Sequence, residues 1–270
     1  MGIDDLFLPD LLLPDLLAPL IAETIFAGKI HHSLSVGSTN AVALEAGASG
    51  YPEGSVFLAE EQTAGRGRGG HAWYSEQSQG IYCSVLLRPQ LSADQVLFLS
   101  LAAGLAVRSA VGDVTGLQAD LKWPNDLLLG GKKFCGILTE LQWDGTRARH
   151  AVIGMGLNVN HASFPDPLRD EATSLYLESK NVQSRAQIAG ALLKSLDREY
   201  AALRSGLDAP ESILRRFQAH SSWTRGCAIR VEENGSYTGV TEGLNSQGFL
   251  LLRTQQGLKT VVSGTVRQQI

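Results

Sequence analysis

Two arginines set in a run of glycines are the first chemically suggestive feature of this chain, where residues 60–70 read EEQTAGRGRGG. If the segment is extended, Arg66 and Arg68 point to the same side. The glycines around them let backbone N–H groups approach a ligand closely. Forked guanidinium donors match phosphate or carboxylate, so the expected guest is an anion. A loop of this composition is costly to order and should be mobile when empty and fixed by the anion. A flexible surface linker or an RGG-type RNA contact would use the same residues, although one such box is not the repeated array of RNA-binding tails.

Three further clusters place polar or small residues where packing alone would call for apolar ones. Lys122 opens KWPND (122–126), where Pro124 stops the preceding strand and Asn125-Asp126 sets a turn. Its ammonium would then reach the space beside a sheet end, where with two arginines it would offset charge growing on a phosphoryl group. Taken alone, Lys122 also reads as a solvated strand-end lysine, and Trp123 reads as core. Ser38-Thr39-Asn40 either caps a helix or, with Gln62, offers hydroxyl and amide groups to a urea-like or amide-like ligand head. In GMGLNVN (154–160), Gly154 and Gly156 within a strand imply close approach by a ligand or another backbone. Asn158 and Asn160 imply a polar role or a strand end.

The elements that would hold these residues can be read from periodicity. Strands are expected over 29–36, 55–62 and 80–89, with a short helix beginning at Ser38 or Thr39 between the first two. The stretch SADQVLFLSLAAGLAVRSAVGDV is apolar on nearly all sides, which predicts a buried helix from a Ser92 cap to about Gly112. Residues 117–160 form three apolar runs joined by GGKK and WDGT, predicting an antiparallel meander with Gly-Gly and Asp-Gly turns. Helical periodicity returns over 184–205 and 208–219, with Asp208 before Ala209-Pro210 as a helix start. After Trp223 the chain alternates with period two and is punctuated by Asn234-Gly235, Gln247-Gly248 and Gln256-Gly257, predicting four or five short strands. The expected division is an N-terminal extension (1–28), a catalytic body (29–220) and a small β domain (221–270).

Composition narrows the classes of partner. Among 270 residues, 44% are hydrophobic and 19% charged, within the ordinary range for globular domains, and the formal net charge is −4. An acidic total without a basic stripe argues against nucleic acid as the main partner. Cys83, Cys135 and Cys227 are odd in number and far apart, which fits neither a disulfide framework nor close-set zinc ligands, so a reducing cytoplasm is expected. The N-terminal LFLPDLLLPDLLAPLIAETIF is apolar but interrupted by Asp10, Asp15 and three prolines. It reads as neither signal peptide nor membrane span, but as proline-broken helical turns covering the body or binding a partner.

Taken in order, GSTN, EEQTAGRGRGG, KWPNDLLLGGKKFCGIL and GMGLNVN resemble the biotin protein ligases over roughly residues 30 to 270. The resemblance implies an α+β fold, a mixed and mainly antiparallel sheet flanked by helices and followed by a small SH3-like barrel. It implies a two-step reaction in which biotin and ATP give biotinyl-5′-AMP and pyrophosphate, after which biotin passes to a lysine of a biotin carboxyl carrier protein. Ser38, Thr39, Asn40, Gln62, Arg66, Gly67, Arg68, Lys122 and Gly136 match positions at the biotin pocket. Arg66, Arg68, Lys122 and Asn158 match positions near ATP. Mg²⁺ is expected with the polyphosphate, without a dedicated protein metal site. Asp126 is the candidate for orienting or deprotonating the acceptor lysine, from its place beside Lys122. Gly69 departs from members with a third basic or polar residue there. Some members begin with a DNA-binding helix-turn-helix, which the roughly 30 residues before the first strand here do not suit. The expectation is a ligase without DNA binding or membrane association, with a homodimer as one assembly the family allows. The related lipoate or octanoate transferases are the nearest alternative, disfavoured by GRGRGG and KWPND together; a non-enzymatic adapter is the alternative from another class.

Overall fold

In this computed structural model the described residues are 10–89, 96–144, 147–206, 209–233 and 235–269. The Ser92 cap, the Asp208 helix start, and the Gly145 and Asn234 turn positions lie outside them. The larger sheet has seven strands, β1 (Ile30–Ser33), β2 (Val56–Ala59), β3 (Gly80–Leu87), β4 (Asp120–Lys122), β5 (Asp126–Leu129), β6 (Lys132–Asp144) and β7 (Arg147–Asn158), in the order β1-β2-β3-β7-β6-β5-β4. Only the β1–β2 pair is parallel. β2 and β3 are buried at every position, because helices cover both faces of the sheet. On one face α2 (Thr39–Ala48) packs Ala43 and Ala46 over Phe57, Leu86 and Val152. On the other, α3 (Val96–Thr115), α5 (Arg185–Ser205) and α6 (Ala209–Ala219) close the main core.

α3 is long and apolar enough to cross a membrane by composition, yet 61% of that stretch is buried inside this fold. It continues to Thr115, beyond the Gly112 end expected from sequence, and Gly116 terminates it with φ of 75°. The added residues are largely exposed, and the turn is closed by hydrogen bonds, Thr115 Oγ1 to Val111 O at 2.7 Å and Gly116 N to Gly112 O at 2.9 Å. The Gly130-Gly131 turn joins β5 to β6 with φ of 55° and 80°, the left-handed pair that a two-residue hairpin demands. In KWPND the turn is Trp123-Pro124-Asn125, while Asp126 already pairs with Lys122 as the first residue of β5. β1 is shorter than the 29–36 run, and a short α4 (Leu175–Ser179) was not legible at all.

Residues 10–29 form a strap across the body. α1 (Pro14–Leu17) and a 3₁₀ turn (Ala18–Leu20) are its regular elements, and Leu12, Leu17, Ile21 and Phe26 are fully buried in the main core. This is the proline-broken, body-covering arrangement that the sequence suggested.

The second sheet is antiparallel, β8 (Arg225–Glu232), β9 (Ser236–Leu244), β10 (Leu250–Thr254), β11 (Gly257–Val261) and β12 (Thr265–Gln268), in the order β11-β10-β9-β8-β12. The fold is therefore mixed α+β, with a mainly antiparallel sheet followed by a small all-β unit. Trp123 ties the two sheets: its buried indole Nε1 donates to Gly248 O at 2.9 Å. Leu121 N donates to His220 O at 2.9 Å, so β4 is also braced by the connecting segment.

Candidate active site

The N-terminus of α2, the loop after β2 and the middle of β6 and β7 meet in one pocket. Its lining includes Ser38, Thr39, Asn40, Gln62, Arg66, Gly67, Arg68 and Gly136, eight of the residues singled out from sequence. Lys122, Asp126 and Asn158 are not among the lining residues, whereas Trp73, Tyr82, Asn125 and Lys133 are.

The inner wall is a network of polar groups, neutral except for the Glu140 carboxylate at its edge. Thr39 donates to Gln62 Oε1 from its backbone N at 2.9 Å and from Oγ1 at 3.1 Å, and Gln62 Nε2 donates to Ser75 Oγ at 2.9 Å. Asn40 Nδ2 donates to Glu140 Oε2 at 2.8 Å and to Leu138 O at 3.2 Å, while Ser84 Oγ lies 2.6 Å from Asn40 Oδ1. Ser38 occupies the cap position of α2 in extended conformation but makes no side-chain capping bond. The capping role considered for this triplet is thus not what its side chains do. They line the pocket and are nearly fully buried.

The floor is stripped of side chains. Gly136 pairs with Gly156 and Leu138 with Gly154 across β6 and β7. A Cβ on Gly154 would collide with the Asn40 amide, and one on Gly156 with the Trp73 indole. Close approach was expected from a ligand or another backbone; in the structure it is made by the side chains of Asn40 and Trp73. Asn158 follows Gly154 and Gly156 on the same face of β7, where Nδ2 donates to Thr173 O at 3.1 Å and Oδ1 is buried without a partner.

The outer wall is cationic. The glycine loop folds back on itself, with Gly67 N donating to His71 O at 2.7 Å and Trp73 N to Gly65 O at 2.9 Å. This presents Arg66 and Arg68 to the pocket. Arg66 Nη2 bonds Glu140 Oε2 at 3.1 Å. Burial lowers the proton affinity of Arg68, with Asp126 and Glu233 acting in the opposite sense. Lys133 lies 5.4 Å from the Trp73 ring centroid, and its Nζ is 2.6 Å from Asp126 Oδ1. Lys122, on β4, has its Nζ 4.4 Å from the ring centroid of Trp223. Desolvation lowers its pKa, and the positive charges of Lys133 and Arg267 add to this against Asp126 and Glu171. Sequence reasoning singled out Lys122; the meander brings a second lysine, Lys133, to the pocket lining with Asp126 as its counterion. Lys133 was visible in GGKKFCGIL, directly after the turn, but nothing local said which lysine faced inward. Glu140 and Ser84 carried no signal of their own.

Such a pocket can hold an amide-like head against its inner wall and an anion at its mouth. Residues 34–158 match the model of the Biotin/lipoate A/B protein ligase family, and residues 225–267 match that of the Biotin protein ligase C terminal domain. A biotin–[acetyl-CoA-carboxylase] ligase of Mycobacterium tuberculosis is 37% identical over 233 residues, covering 84% of this chain and 83% of the relative. The chain belongs to the biotin protein ligase family. A second biotin–[acetyl-CoA-carboxylase] ligase, from Paracoccus denitrificans, is 32% identical over 235 residues, covering 85% of this chain and 96% of the relative. The biotin protein ligase structure from Aquifex aeolicus in complex with biotin and ATP shares 28% identity and superposes with a TM-score of 0.79, covering 90% of this chain and 100% of that one. Both the catalytic part and the C-terminal part of a biotin protein ligase are therefore represented in this chain.

Proposed function

We propose that this chain condenses biotin with ATP to biotinyl-5′-AMP, releasing pyrophosphate, and then transfers the biotinyl group to a lysine of a biotin carboxyl carrier protein, releasing AMP. The observation that carries the reading is the single pocket in which a polar inner wall meets Arg66, Arg68 and Lys133. In the first step a carboxylate attacks the α-phosphorus, so two anions must be held in contact while charge gathers on phosphoryl oxygens. The inner wall of Ser38, Thr39, Asn40 and Gln62 suits the ureido ring, whose buried N–H and C=O groups need partners. Arg66, Arg68 and Lys133 supply the positive field at the reacting centre, and Gly67 and Gly136 leave room there. Lys122, in the field of the same Asp126, adds to that charge, and Asn158 offers a buried amide farther along the face of β7 that carries Gly154 and Gly156.

In the second step the acceptor lysine must attack as a free amine, although with an ordinary pKa near 10.4 roughly a few in ten thousand are neutral at pH 7. Asp126 remains the candidate for orienting it. Its pairing with Lys133 gives a second role that the first step requires, fixing the ammonium beside the pocket. Among the described residues no three His, Cys, Asp or Glu side chains form a metal cluster. Mg²⁺ would thus be held chiefly by substrate phosphates with one or two carboxylates, its usual mode on a polyphosphate. The division of labour follows the two sheets: residues 29–220 hold the reactants and 221–270 brace them.

ATP–pyrophosphate exchange tests the proposal. Exchange should require biotin, and lipoate should not replace it. Lys133→Ala should cut the exchange rate by about 10²-fold or more, the scale of losing a preorganised charge at the reacting centre. Exchange driven by lipoate, or none with either acid, would refute the reading.

A further inference from the structure

The Gly/Arg loop leaves β2 at Glu60 and returns at Ser78, and both stems are tied to a buried ionic knot outside the pocket. Ser78 N donates to Glu60 O at 2.9 Å, closing the loop base. The Glu60 carboxylate is fully buried and accepts from Arg185 Nη1 and Leu12 N, each at 2.8 Å, with His32 Nε2 also 2.8 Å away. Burial works to raise the Glu60 pKa, but these partners outweigh it and hold the carboxyl below its ordinary range. Arg185 is equally buried, and the same Nη1 reaches Gly80 O at 3.0 Å, at the start of β3. One guanidinium thus holds both stems.

Arg185 is held in turn by the strap. Asp10 Oδ2 accepts from Arg185 N at 2.7 Å, and the Asp10 backbone carbonyl accepts from Arg185 Nη2. Gln62, which closes the inner wall through Thr39 and Ser75, stands two residues beyond Glu60. A displacement of the knot is therefore delivered directly to the pocket and to the arginines that follow.

We propose that Asp10 and Arg185 are positioning residues for the Gly/Arg loop: the N-terminal strap clasps Glu60 and the β3 start, and so sets how firmly the loop closes over a bound acyl-adenylate. This rests on the proposed biotin-activating function for its ligand, but not for its mechanical claim. Asp10 is exposed and touches no pocket residue, so its replacement perturbs the clasp without touching the reacting groups.

The test uses the full chain and compares wild type with Asp10→Ala, Asp10→Asn and Arg185→Lys. In Asp10→Ala, amides of residues 62–73 should exchange hydrogen at least about threefold faster without ligand, while β3 and β7 keep their protection. Preformed biotinyl-AMP should leave this variant at least about threefold faster, with exchange at saturating biotin and ATP within about twofold of wild type. Asp10→Asn, which keeps an acceptor for Arg185 N, should lie between the two, and Arg185→Lys should show the larger effect. Should Arg185→Lys not fold, the two Asp10 variants decide. Unchanged loop exchange in Asp10→Ala, or acceleration spread evenly along the chain, would overturn the clasp. Wild type lacking biotin-dependent exchange would defeat the proposed function instead, leaving the unliganded loop measurement to judge the clasp.

Discussion

At the scale of single residues, the pocket depends as much on missing side chains as on present ones. Gly156 is the sharpest case, because its Cα faces the Trp73 indole and any Cβ there meets the ring. Gly156→Ala should push Trp73 from the floor at an overpacking cost of about 1–3 kcal/mol, raising the KM for biotin by about tenfold or more. Exchange measured across a biotin series checks this; an unchanged KM would mean that Trp73 does not border the biotin subsite. The two lysines make the complementary point. Lys122 packs on Trp223 and shares the field of Asp126 with Lys133, which lines the pocket, so Lys122→Ala and Lys133→Ala should each slow exchange by about tenfold or more. Exchange unchanged in either variant would remove that lysine from the reacting centre.

At the scale of elements, β4 is the short edge strand on which the two sheets are joined. Asp120 accepts from Ser222 N at 2.8 Å and from Ser222 Oγ at 2.5 Å, at the segment leading into β8. This acts as a side-chain brace on the connecting turn, and its loss should cost about 1 kcal/mol because the groups are exposed and water can replace the carboxylate. Asp120→Ala should therefore lower the urea midpoint while leaving the exchange kcat within about twofold. A large fall in kcat without a stability change would show that the junction controls chemistry rather than holding it. The period-two strands and the Gly-Gly turn were readable because each is set by neighbouring residues. The brace was not, since Asp120 and Ser222 meet only after both sheets have formed.

For the whole molecule, acid stability follows from groups buried in a fixed charge state. His161 is fully buried between Tyr74 and Phe164, with Nε2 3.4 Å from the Tyr82 hydroxyl. Desolvation, with the Arg185 charge adding to it, depresses its pKa from 6.5 to about 4. Between those values the unfolded chain binds the proton that the folded chain refuses, so stability rises with pH across this window and falls as acid is added. The fall from pH 6.5 to 4 should approach about 3 kcal/mol, and His161→Phe should remove most of it. Glu60 acts in the same direction at lower pH: its folded pKa is depressed below 4.5, so its contribution is present above that value and lost as pH falls through the folded one. Urea unfolding of both proteins between pH 7 and 4 separates them; parallel curves would remove His161 from the account.

Local chemistry was legible from the chain alone. Four polar or glycine-rich clusters, the strand and helix periods, and the change of pattern after Trp223 all follow from residue type and spacing, because secondary structure and anion-binding loops are governed by neighbours. Orientation was not legible. Lys122 and Lys133 stand on β4 and β6, on either side of β5 in one meander, with the same charge and reach, and Trp223, contributed by a distant segment, packs against the first while the second joins the pocket lining. The same holds for the strap: its apolar residues announced burial, but that Asp10 and Leu12 would close on Arg185 and Glu60 depended on a helix start and a strand end brought together by packing. Side-chain identity sets what a residue is able to bind; the pairing of strands and the closing of the core decide which partner it meets.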